Sequence, residues 1–246
     1  MSFASSTIVR RLSNWRKKFL NNCPSFGQRL LPHHCLLCAA PDTAQPVCNS
    51  CYTYLPWLEA SRCPQCALPT NDSKICGACL AHPPRFDKVV AAFAYAWPLA
   101  PLIHQYKYAG NLALAPLLAR ALAAQITGNV DLIIPTPLDP ARLRSRGFNQ
   151  ALEVARVVSR LTGVPLAAEA CRRVRAGTPQ AALPWRERAK NIRGAFVCDQ
   201  DLRGKRVAVI DDVMTTGATL NELARNLRQA GAIEIHGWMV ARTLPR

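Results

Sequence analysis

The sequence predicts an α/β domain built on a parallel sheet and preceded by a small cysteine-rich unit that binds metal. Apolar strand-like runs alternate with helical periods through residues 85–246, a pattern typical of a parallel sheet with helices on both faces. Eight of the eleven cysteines lie in residues 33–82, where neither a helical nor a strand period is sustained. Hydrophobic residues make up 50% of the 246 residues, so the chain can form a sizeable core and is not predicted to be disordered.

Residues 1–30 are predicted to be a basic N-terminal extension, with six Lys and Arg residues and no acidic residue. The apolar residues that can share one face of a short helix there are Leu12, Trp15, Phe19 and Leu20. A tail or additional start-site segment, a nucleic-acid or membrane-surface contact, and an organellar transit peptide all remain open interpretations.

The clustered cysteines form four Cys-x-x-Cys pairs. The pairs are Cys35/Cys38, Cys48/Cys51, Cys63/Cys66 and Cys76/Cys79, with nine residues between the pairs of each half and eleven between the halves. Two such pairs complete a tetrahedron of thiolates around Zn²⁺, so the spacing predicts two closed, structural zinc sites. Sequential and interleaved pairing use the same residues, and an iron–sulfur cluster or a redox dithiol would use the same thiolates. A segment so rich in loops cannot bury enough apolar surface on its own, so we expect bound metal to supply its stability.

Composition also predicts the compartment and the kind of partner. A secretory signal peptide is not recognisable, so we expect a reducing, cytoplasmic location, where paired cysteines more often bind metal than form disulfides. No run of eighteen or more apolar residues occurs, so no transmembrane helix is predicted. The formal net charge of +16 favours phosphates, nucleic acid or an anionic membrane surface as partners. Nothing in the sequence specifies an oligomeric state.

The elements of residues 85–246 follow from apolar spacing and from the residues that end each run. The predicted strands are Val89–Ala96, Asp131–Ile134, Arg206–Ile210 and Ile233–Val240, and the predicted helices are Leu99–Tyr108, Leu114–Gln125, Ala151–Leu161 and Ala218–Ala230. Gly110 separates the first two helices, Gly163 follows the third, and Gly231 closes the last.

The sharpest motif follows the strand Arg206–Ile210. Asp211 and Asp212 come at its C-terminal end, and ligands of open α/β sheets bind outside the carboxyl ends of the strands. The next residues open directly into a helix, whose free N–H groups and positive dipole end suit a phosphate. This Thr/Gly loop consists of Thr215, Thr216, Gly217, Ala218 and Thr219. The motif is neither a Walker A loop nor a dinucleotide fingerprint, and a helix cap or a receiver-like Mg²⁺ site remains an alternative.

This motif resembles the phosphoribosyl diphosphate (PRPP) site of type I phosphoribosyltransferases. It consists of a strand, Asp-Asp, two residues, Thr-Thr-Gly-x-Thr and a helix. Other motifs are similar to those of the ComF/GntX family, as is the double zinc ribbon. They are Ile103–Lys107, Pro135–Leu138, Arg146–Gln150, Thr178–Gln180, Arg188, Asn191 and Gly194–Phe196. The resemblance spans roughly residues 33–244.

The resemblance implies specific roles. Asp211 and Asp212 would hold the ribose hydroxyls of PRPP, and the loop from Thr215 to Thr219 would cradle its 5′-phosphate. Thr136 and Pro137 would belong to the pyrophosphate loop, with Mg²⁺ bridging the pyrophosphate oxygens. Arg146 follows that loop directly, and Asn149 either joins it or caps the next helix.

Further basic residues follow the predicted pyrophosphate loop in the sequence. Residues 142–193 contain twelve Lys and Arg residues against three Glu residues. Arg173, Arg186 or Arg188 would neutralise the leaving group from a flexible loop, as the resemblance implies, or would be solvated surface charges.

Three functions are compatible with the sequence. The first is a PRPP-dependent phosphoribosyltransferase with an unknown acceptor. The second, implied by the ComF resemblance, is a single-stranded-DNA factor in competence that works with the DNA-uptake machinery, and the third is an adaptor that uses the ribbons for docking. Base-stacking candidates are Tyr52, Tyr54, Trp57 and Phe148, each of which core packing also explains. No residue is assigned to the acceptor, since the zinc region replaces the hood that selects the base in other members of this fold.

Overall fold

The computed structural model describes residues 34–41, 43–174 and 192–245. Several positions singled out above lie outside these ranges: the basic extension 1–30, Thr178–Gln180, Arg186, Arg188 and Asn191. The chain divides into two compact units, residues 1–51 and 52–246, and each contains one of the four-cysteine sets. The division into a ribbon domain at 33–82 and a phosphoribosyltransferase-like domain at 85–246 stays a prediction.

The described part of the smaller unit is a tight turn followed by a return segment. The Ala39 N–H donates to the Cys35 carbonyl at 2.9 Å, and the Leu36 N–H donates to the Pro46 carbonyl at 2.9 Å. Val47 is buried within it. A short helix, α1 (Asn49–Thr53), begins at its end.

A four-stranded sheet forms the centre of the larger unit and confirms the predicted parallel architecture. Its strands are β1 (Lys88–Ala94), β2 (Leu132–Pro135), β5 (Arg206–Met214) and β6 (Glu234–Arg242). Their order is β1–β6–β5–β2, and every neighbouring pair is parallel. A separate two-stranded antiparallel sheet is formed by β3 (Cys171–Arg173) and β4 (Phe196–Cys198). The sequence pattern did not predict these short strands.

Four helices lie close to their predicted bounds: α3 (Leu99–Tyr108), α4 (Leu114–Ala123), α6 (Gln150–Thr162) and α7 (Ala218–Gln229). The described residues also contain α2 (Gly77–Ala81), α5 (Pro140–Arg146) and a 3₁₀ turn at Asn71–Ser73, which the pattern did not predict. The pattern missed α5 because it buries no residue, but Asp139 caps it by accepting from the Ala141 N–H at 3.0 Å. Within the described ranges, no helix has both the length and the apolar character needed to span a bilayer.

Packing fixes the strand that carries the Asp pair. Val207 and Val209 of β5 join a buried cluster with Leu223 of α7, while α6 packs against β2 and β5. The strand runs four residues beyond its predicted end at Ile210, to Met214, since its backbone continues to pair with β6. Backbone pairing thus outweighs the low strand preference of the carboxylates and sets them in the sheet itself.

Candidate functional site

The eight clustered cysteines gather into two sets of four by sequential pairing, so the interleaved alternative is wrong. The sets are Cys35, Cys38, Cys48 and Cys51, and Cys63, Cys66, Cys76 and Cys79, and within each set the Sγ atoms lie within 4.8 Å of one another. Zn–S bonds of about 2.3 Å place tetrahedral thiolates about 3.8 Å apart. The Cys38–Cys48 Sγ distance is 3.8 Å and the Cys66–Cys76 distance is 3.5 Å. Both sets therefore fit a structural zinc ion.

Backbone donors repeat identically in the two sets. The Cys48 N–H donates to Cys35 Sγ at 3.4 Å, and the Cys76 N–H donates to Cys63 Sγ at 3.3 Å. Although burial raises their pKa values, backbone hydrogen bonds lower the pKa of Cys35 to about 6 and that of Cys63 to about 7. These thiols are prepared to bind metal as thiolates.

A cleft of about 690 Å³ brings the predicted PRPP-binding residues together. Its lining includes Asp211, Asp212, Thr215, Thr216, Gly217, Ala218, Thr219, Thr136, Pro137 and Arg146. These residues come from β5, the loop after it and the start of α7, together with the loop that follows β2 and the end of α5. Ligand sites of open α/β sheets form at this carboxyl end of the strands.

The two carboxyls of the Asp pair differ in protonation. Burial and the adjacent Asp212 charge raise the pKa of Asp211 to about 8. Burial alone would raise the pKa of Asp212 too, but its ion pair with Lys107 of α3 holds that pKa below the ordinary value. Burial and ion pairing therefore shift the pKa values of the two adjacent carboxyls in opposite directions.

The Thr/Gly loop is shaped by a left-handed glycine. Gly217 has φ +80°, and a β-carbon there would lie 2.7 Å from Met214 Cε. Thr216 Oγ1 accepts from the Ala218 N–H at 3.1 Å, which turns the chain into α7. The first turn of α7 thus faces the cleft with backbone donors available to a phosphate.

One buried arginine, which the sequence reasoning missed, links this loop to the second cysteine set. Arg242 ends β6 and is 4% exposed. Its Nε donates to the Cys66 carbonyl at 2.8 Å, and its Nη1 donates to the Met214 carbonyl at 3.0 Å and to the Thr215 carbonyl. A rigid planar guanidinium thereby holds a zinc-ligand turn and the start of the phosphate loop together.

The loop after β2 is fixed from two sides. The Thr136 N–H donates to the Ile210 carbonyl at 2.8 Å, and Asn149 Nδ2 donates to the Thr136 carbonyl at 3.1 Å. Asn149 also caps α6, since its Oδ1 accepts from the Ala151 N–H at 3.0 Å. Asn149 therefore caps α6 and also supports the loop after β2, and its part in a pyrophosphate site stays a prediction.

Among the described residues, four Lys and Arg side chains line the cleft: Lys107, Arg142, Arg146 and Arg173. Arg146 donates to Gln150 Oε1 and lies over the Tyr108 ring, 5.2 Å from its centroid. Arg173 is nearly buried, with its Nε 3.8 Å from Asp139 Oδ2. It therefore belongs to the cleft wall and is not a solvated surface charge.

Two of the base-stacking candidates, Trp57 and Phe148, pack against other rings, as the core-packing alternative predicts. Trp57 packs against Phe93 and Phe148 against Tyr106, with ring centroids 4.4 and 5.8 Å apart, whereas Tyr54 is exposed and absent from the cleft lining. The exposed aromatic side chains that do line the cleft are Tyr95, His104 and Tyr108. The sequence signal for two of them was the four-residue spacing of His104 and Tyr108 on a predicted helix.

Family comparisons agree with this architecture. A double zinc ribbon family matches residues 26–80, and a phosphoribosyl transferase domain family matches residues 112–242. DNA utilization protein YhgH of Shigella flexneri is 36% identical over 170 residues, covering 66% of this chain and 75% of that protein. Competence protein F of Haemophilus influenzae is 36% identical over 170 residues, covering 65% of this chain and 74% of that protein. The chain belongs to the ComF family.

This ComF-family chain also aligns with part of a solved structure. Glutamine PRPP amidotransferase from B. subtilis aligns with a TM-score of 0.38 and 21% identity, covering 52% of this chain and 26% of that enzyme. The matched phosphoribosyl transferase range, 112–242, includes the Asp pair, the Thr/Gly loop and the loop after β2. The ribbon range, 26–80, includes all eight clustered cysteines.

Proposed function

We propose that this protein binds PRPP with Mg²⁺ in the cleft. The observation that carries the proposal is the Asp pair and the Thr/Gly loop at one end of β5, in a cleft lined by four basic side chains. Asp211 and Asp212 would accept hydrogen bonds from the ribose hydroxyls, and the first turn of α7 would take the 5′-phosphate. The basic side chains would balance the charge of the pyrophosphate.

The donor set in the cleft suits a magnesium ion that the substrate brings with it. Asp212 already neutralises Lys107, so Asp211 is the acidic side chain of the described cleft lining that can contribute an oxygen. Mg²⁺ binds oxygen ligands and commonly takes most of them from phosphates and water. When bound, it would neutralise charge on the pyrophosphate oxygens.

Turnover would be displacement of pyrophosphate from the anomeric carbon of PRPP by an acceptor. The bond from that carbon to the pyrophosphate oxygen breaks, and a bond to the acceptor forms. Arg142 and Arg146 are cations of the described cleft lining that are available to the negative charge that develops on the leaving group.

Calorimetry on zinc-loaded protein tests the binding proposal, using Asp211→Asn as the variant. We expect wild type to bind PRPP only with Mg²⁺, and the variant to lose about tenfold or more in affinity. Asp211 holds its proton up to a pKa of about 8, whereas an unfolded Asp ionises near 3.8, so its burial lowers stability increasingly as pH rises between those values. Asn removes that penalty, and the variant should unfold at or above the wild-type temperature at pH 7.

The matched control is Asp201→Asn, which changes an exposed aspartate outside the cleft that pairs with Arg203. It should bind PRPP as wild type does. Absence of PRPP binding by folded wild-type protein in the presence of Mg²⁺ would overturn the proposal.

We also propose a role in the handling of DNA in the cytoplasm. Its support is the charge of the chain, 31 Lys and Arg against 15 Asp and Glu, together with relatives named for DNA utilization and competence. Thiolate zinc sites suit a reducing compartment. Single-stranded DNA should bind with an affinity that falls steeply as salt rises, measured by fluorescence anisotropy. An affinity independent of salt would exclude this electrostatic mode.

A non-catalytic form of that role is the second candidate. The protein would then bind DNA or dock a partner, with PRPP as a regulator, and the intact Asp pair would serve binding alone. Pyrophosphate release in the presence of a panel of acceptors separates this candidate from the enzyme.

A further inference from the structure

Two cysteines outside the zinc sets face each other across the two-stranded antiparallel sheet. Cys171 of β3 and Cys198 of β4 are direct partners in its register, and both carry free thiols. Neither residue belongs to a four-cysteine set or to the lining of the proposed PRPP cleft. The fold brings these two thiols together from distant parts of the chain, so no local spacing in the sequence indicated the pair.

The two cysteines occupy the kind of strand pair in which side chains come closest. The Asp199 N–H donates to the Ala170 carbonyl at 3.2 Å, so these neighbours form a hydrogen-bonded pair. Hydrogen-bonded and non-hydrogen-bonded pairs alternate along an antiparallel ladder, so the next pair, Cys171 and Cys198, is a non-hydrogen-bonded one. The Cα atoms of such pairs lie about 4.5 Å apart, within the range of about 4.4–6.8 Å that a disulfide spans.

The two thiols differ in their access to solvent. Cys171 is 5% exposed and belongs to the buried core, whereas Cys198 is partly exposed and donates from its Sγ to the Gln200 carbonyl at 3.7 Å. Burial above all, and then the neighbouring Cys198 sulfur, raise the pKa of Cys171. A small reagent in solution therefore reaches Cys198 first. Cys171 is placed to react only with a group that is already attached to Cys198.

The two-stranded sheet supports one wall of the cleft. Arg173 lies two residues after Cys171 on the same face of β3, and its guanidinium carbon lies 5.8 Å from the Phe196 ring centroid of β4. The same arginine lines the cleft. β4 also packs against α7, the helix that begins at the Thr/Gly loop. A covalent bond between β3 and β4 would therefore fasten two elements that border the cleft.

We propose that Cys171 and Cys198 are a reversible redox site, at which a small-molecule disulfide such as oxidised glutathione joins the two strands by a disulfide bond. Cys198 Sγ attacks the oxidant first, which forms a mixed disulfide and releases one glutathione, with the proton of Cys198. Cys171 Sγ then attacks Cys198 Sγ, and the second glutathione leaves with the proton of Cys171. Two protein thiols are thus oxidised to one disulfide, while one oxidised glutathione is reduced to two thiols.

The test uses the full, zinc-loaded chain with Cys23→Ser, which leaves Cys171 and Cys198 as the cysteines outside the two zinc sets. The protein is incubated with oxidised glutathione, assayed for zinc and digested with trypsin in the absence of reductant. Trypsin cleaves after Arg172 and Arg173, so the two cysteine peptides stay joined only through a disulfide. We expect mass spectrometry to detect the joined peptides, a dithiol to separate them, and the zinc content to stay at two ions per chain. Wild type should give the same joined peptides.

Thermal unfolding gives a second measurement, which does not depend on PRPP. A disulfide restricts the unfolded chain, so oxidation should raise the unfolding temperature by about 5 °C or more, and a dithiol should reverse the rise. Cys198→Ser in the same background is the matched control, since its side chain is partly exposed and the variant should fold. It should show neither joined peptides nor a higher unfolding temperature after the same treatment.

Three results would overturn the inference. The first is a parent protein that keeps both thiols in excess oxidised glutathione. The second is a reaction that stops at a glutathione adduct on Cys198, because the buried thiol would then be out of reach. The third is an equal rise in unfolding temperature in Cys198→Ser, since reaction at the zinc ligands would then explain it.

Discussion

The two four-cysteine sites share one sequence spacing and one hydrogen-bond pattern, but their surroundings differ. In the first set, Cys35 is buried and the other three cysteines are exposed or partly exposed. In the second set, three of the four are buried, and the turns that carry them contact the sheet. The Pro64 carbonyl accepts from the Val89 N–H at 3.2 Å, and the Cys66 carbonyl accepts from Arg242.

One motif is thus used in two ways. The second set is part of the core beneath the Thr/Gly loop, because Cys63, Cys66 and Cys79 join the buried cluster that contains Met214 and Leu220. The first set belongs to the smaller unit. We therefore expect loss of zinc from the second site to lower affinity at the proposed PRPP site. Loss of zinc from the first site should affect the smaller unit alone.

The largest expected effect comes from removing one equivalent ligand from each site. Cys48→Ser and Cys76→Ser change matched positions, since each residue donates its N–H to the first cysteine of its set. We expect Cys76→Ser to lose about tenfold or more in PRPP affinity and to unfold at lower temperature, because an open site no longer holds the turn that binds Arg242. Cys48→Ser should keep PRPP affinity within about twofold.

Zinc analysis, calorimetry and thermal unfolding measure these effects, with each variant expected to retain one zinc. Cys198→Ser, a thiol outside both sets, is the control. Equal losses of PRPP affinity in Cys48→Ser and Cys76→Ser would contradict the expected functional difference between the two sites.

Arg242 tests the connection itself. Arg242→Met removes the buried donor to the carbonyls of Cys66 and Thr215, while the Met214 carbonyl keeps the Thr243 N–H, so we expect a loss of about 3 kcal/mol in the free energy of unfolding. Arg242→Lys should be intermediate, because a single ammonium cannot reach both sides as the planar fork does. Urea unfolding measures the loss, and both variants should keep two zinc ions. Unchanged PRPP affinity in a folded Arg242→Met would show that the loop does not need this connection.

The sequence predicted both metal sites and the Asp pair because their geometry is local. A Cys-x-x-Cys turn and a strand that opens into a helix are each encoded within a dozen residues. Arg242 could not be found this way, since its hydrogen bond to Cys66 joins residues 176 positions apart. The extension of β5 past Ile210 depends on pairing with β6, and α5 has no buried face to give it a period. Arg242 and the end of β5 thus escaped prediction because they depend on tertiary partners, whereas α5 escaped because it buries no residue.

A smaller effect is expected from substitutions of glycines with positive φ. They separate the backbone strain of the Thr/Gly loop from its packing against the core that contains the second site. Gly217→Ala and Gly128→Ala both place a side chain at positive φ, +80° and +86°, which costs about 1–3 kcal/mol. At Gly217 the new methyl group would also displace Met214, whereas at Gly128 nothing lies within 4 Å. We expect both variants to lose stability, but only Gly217→Ala to lose PRPP affinity, by calorimetry. A loss in Gly128→Ala as well would mean that general destabilisation explains the effect.

The smallest effect concerns rates of zinc release rather than affinities. A chromogenic chelator should remove two zinc ions in two phases, with the first site faster because its thiolates are more exposed. Affinity for PRPP should survive the fast phase and fall with the slow one. Cys48→Ser should abolish the fast phase and leave the slow phase unchanged, which assigns each phase to a site. A single phase, or a loss of PRPP binding during the fast phase, would mean that the two sites open together despite their different surroundings.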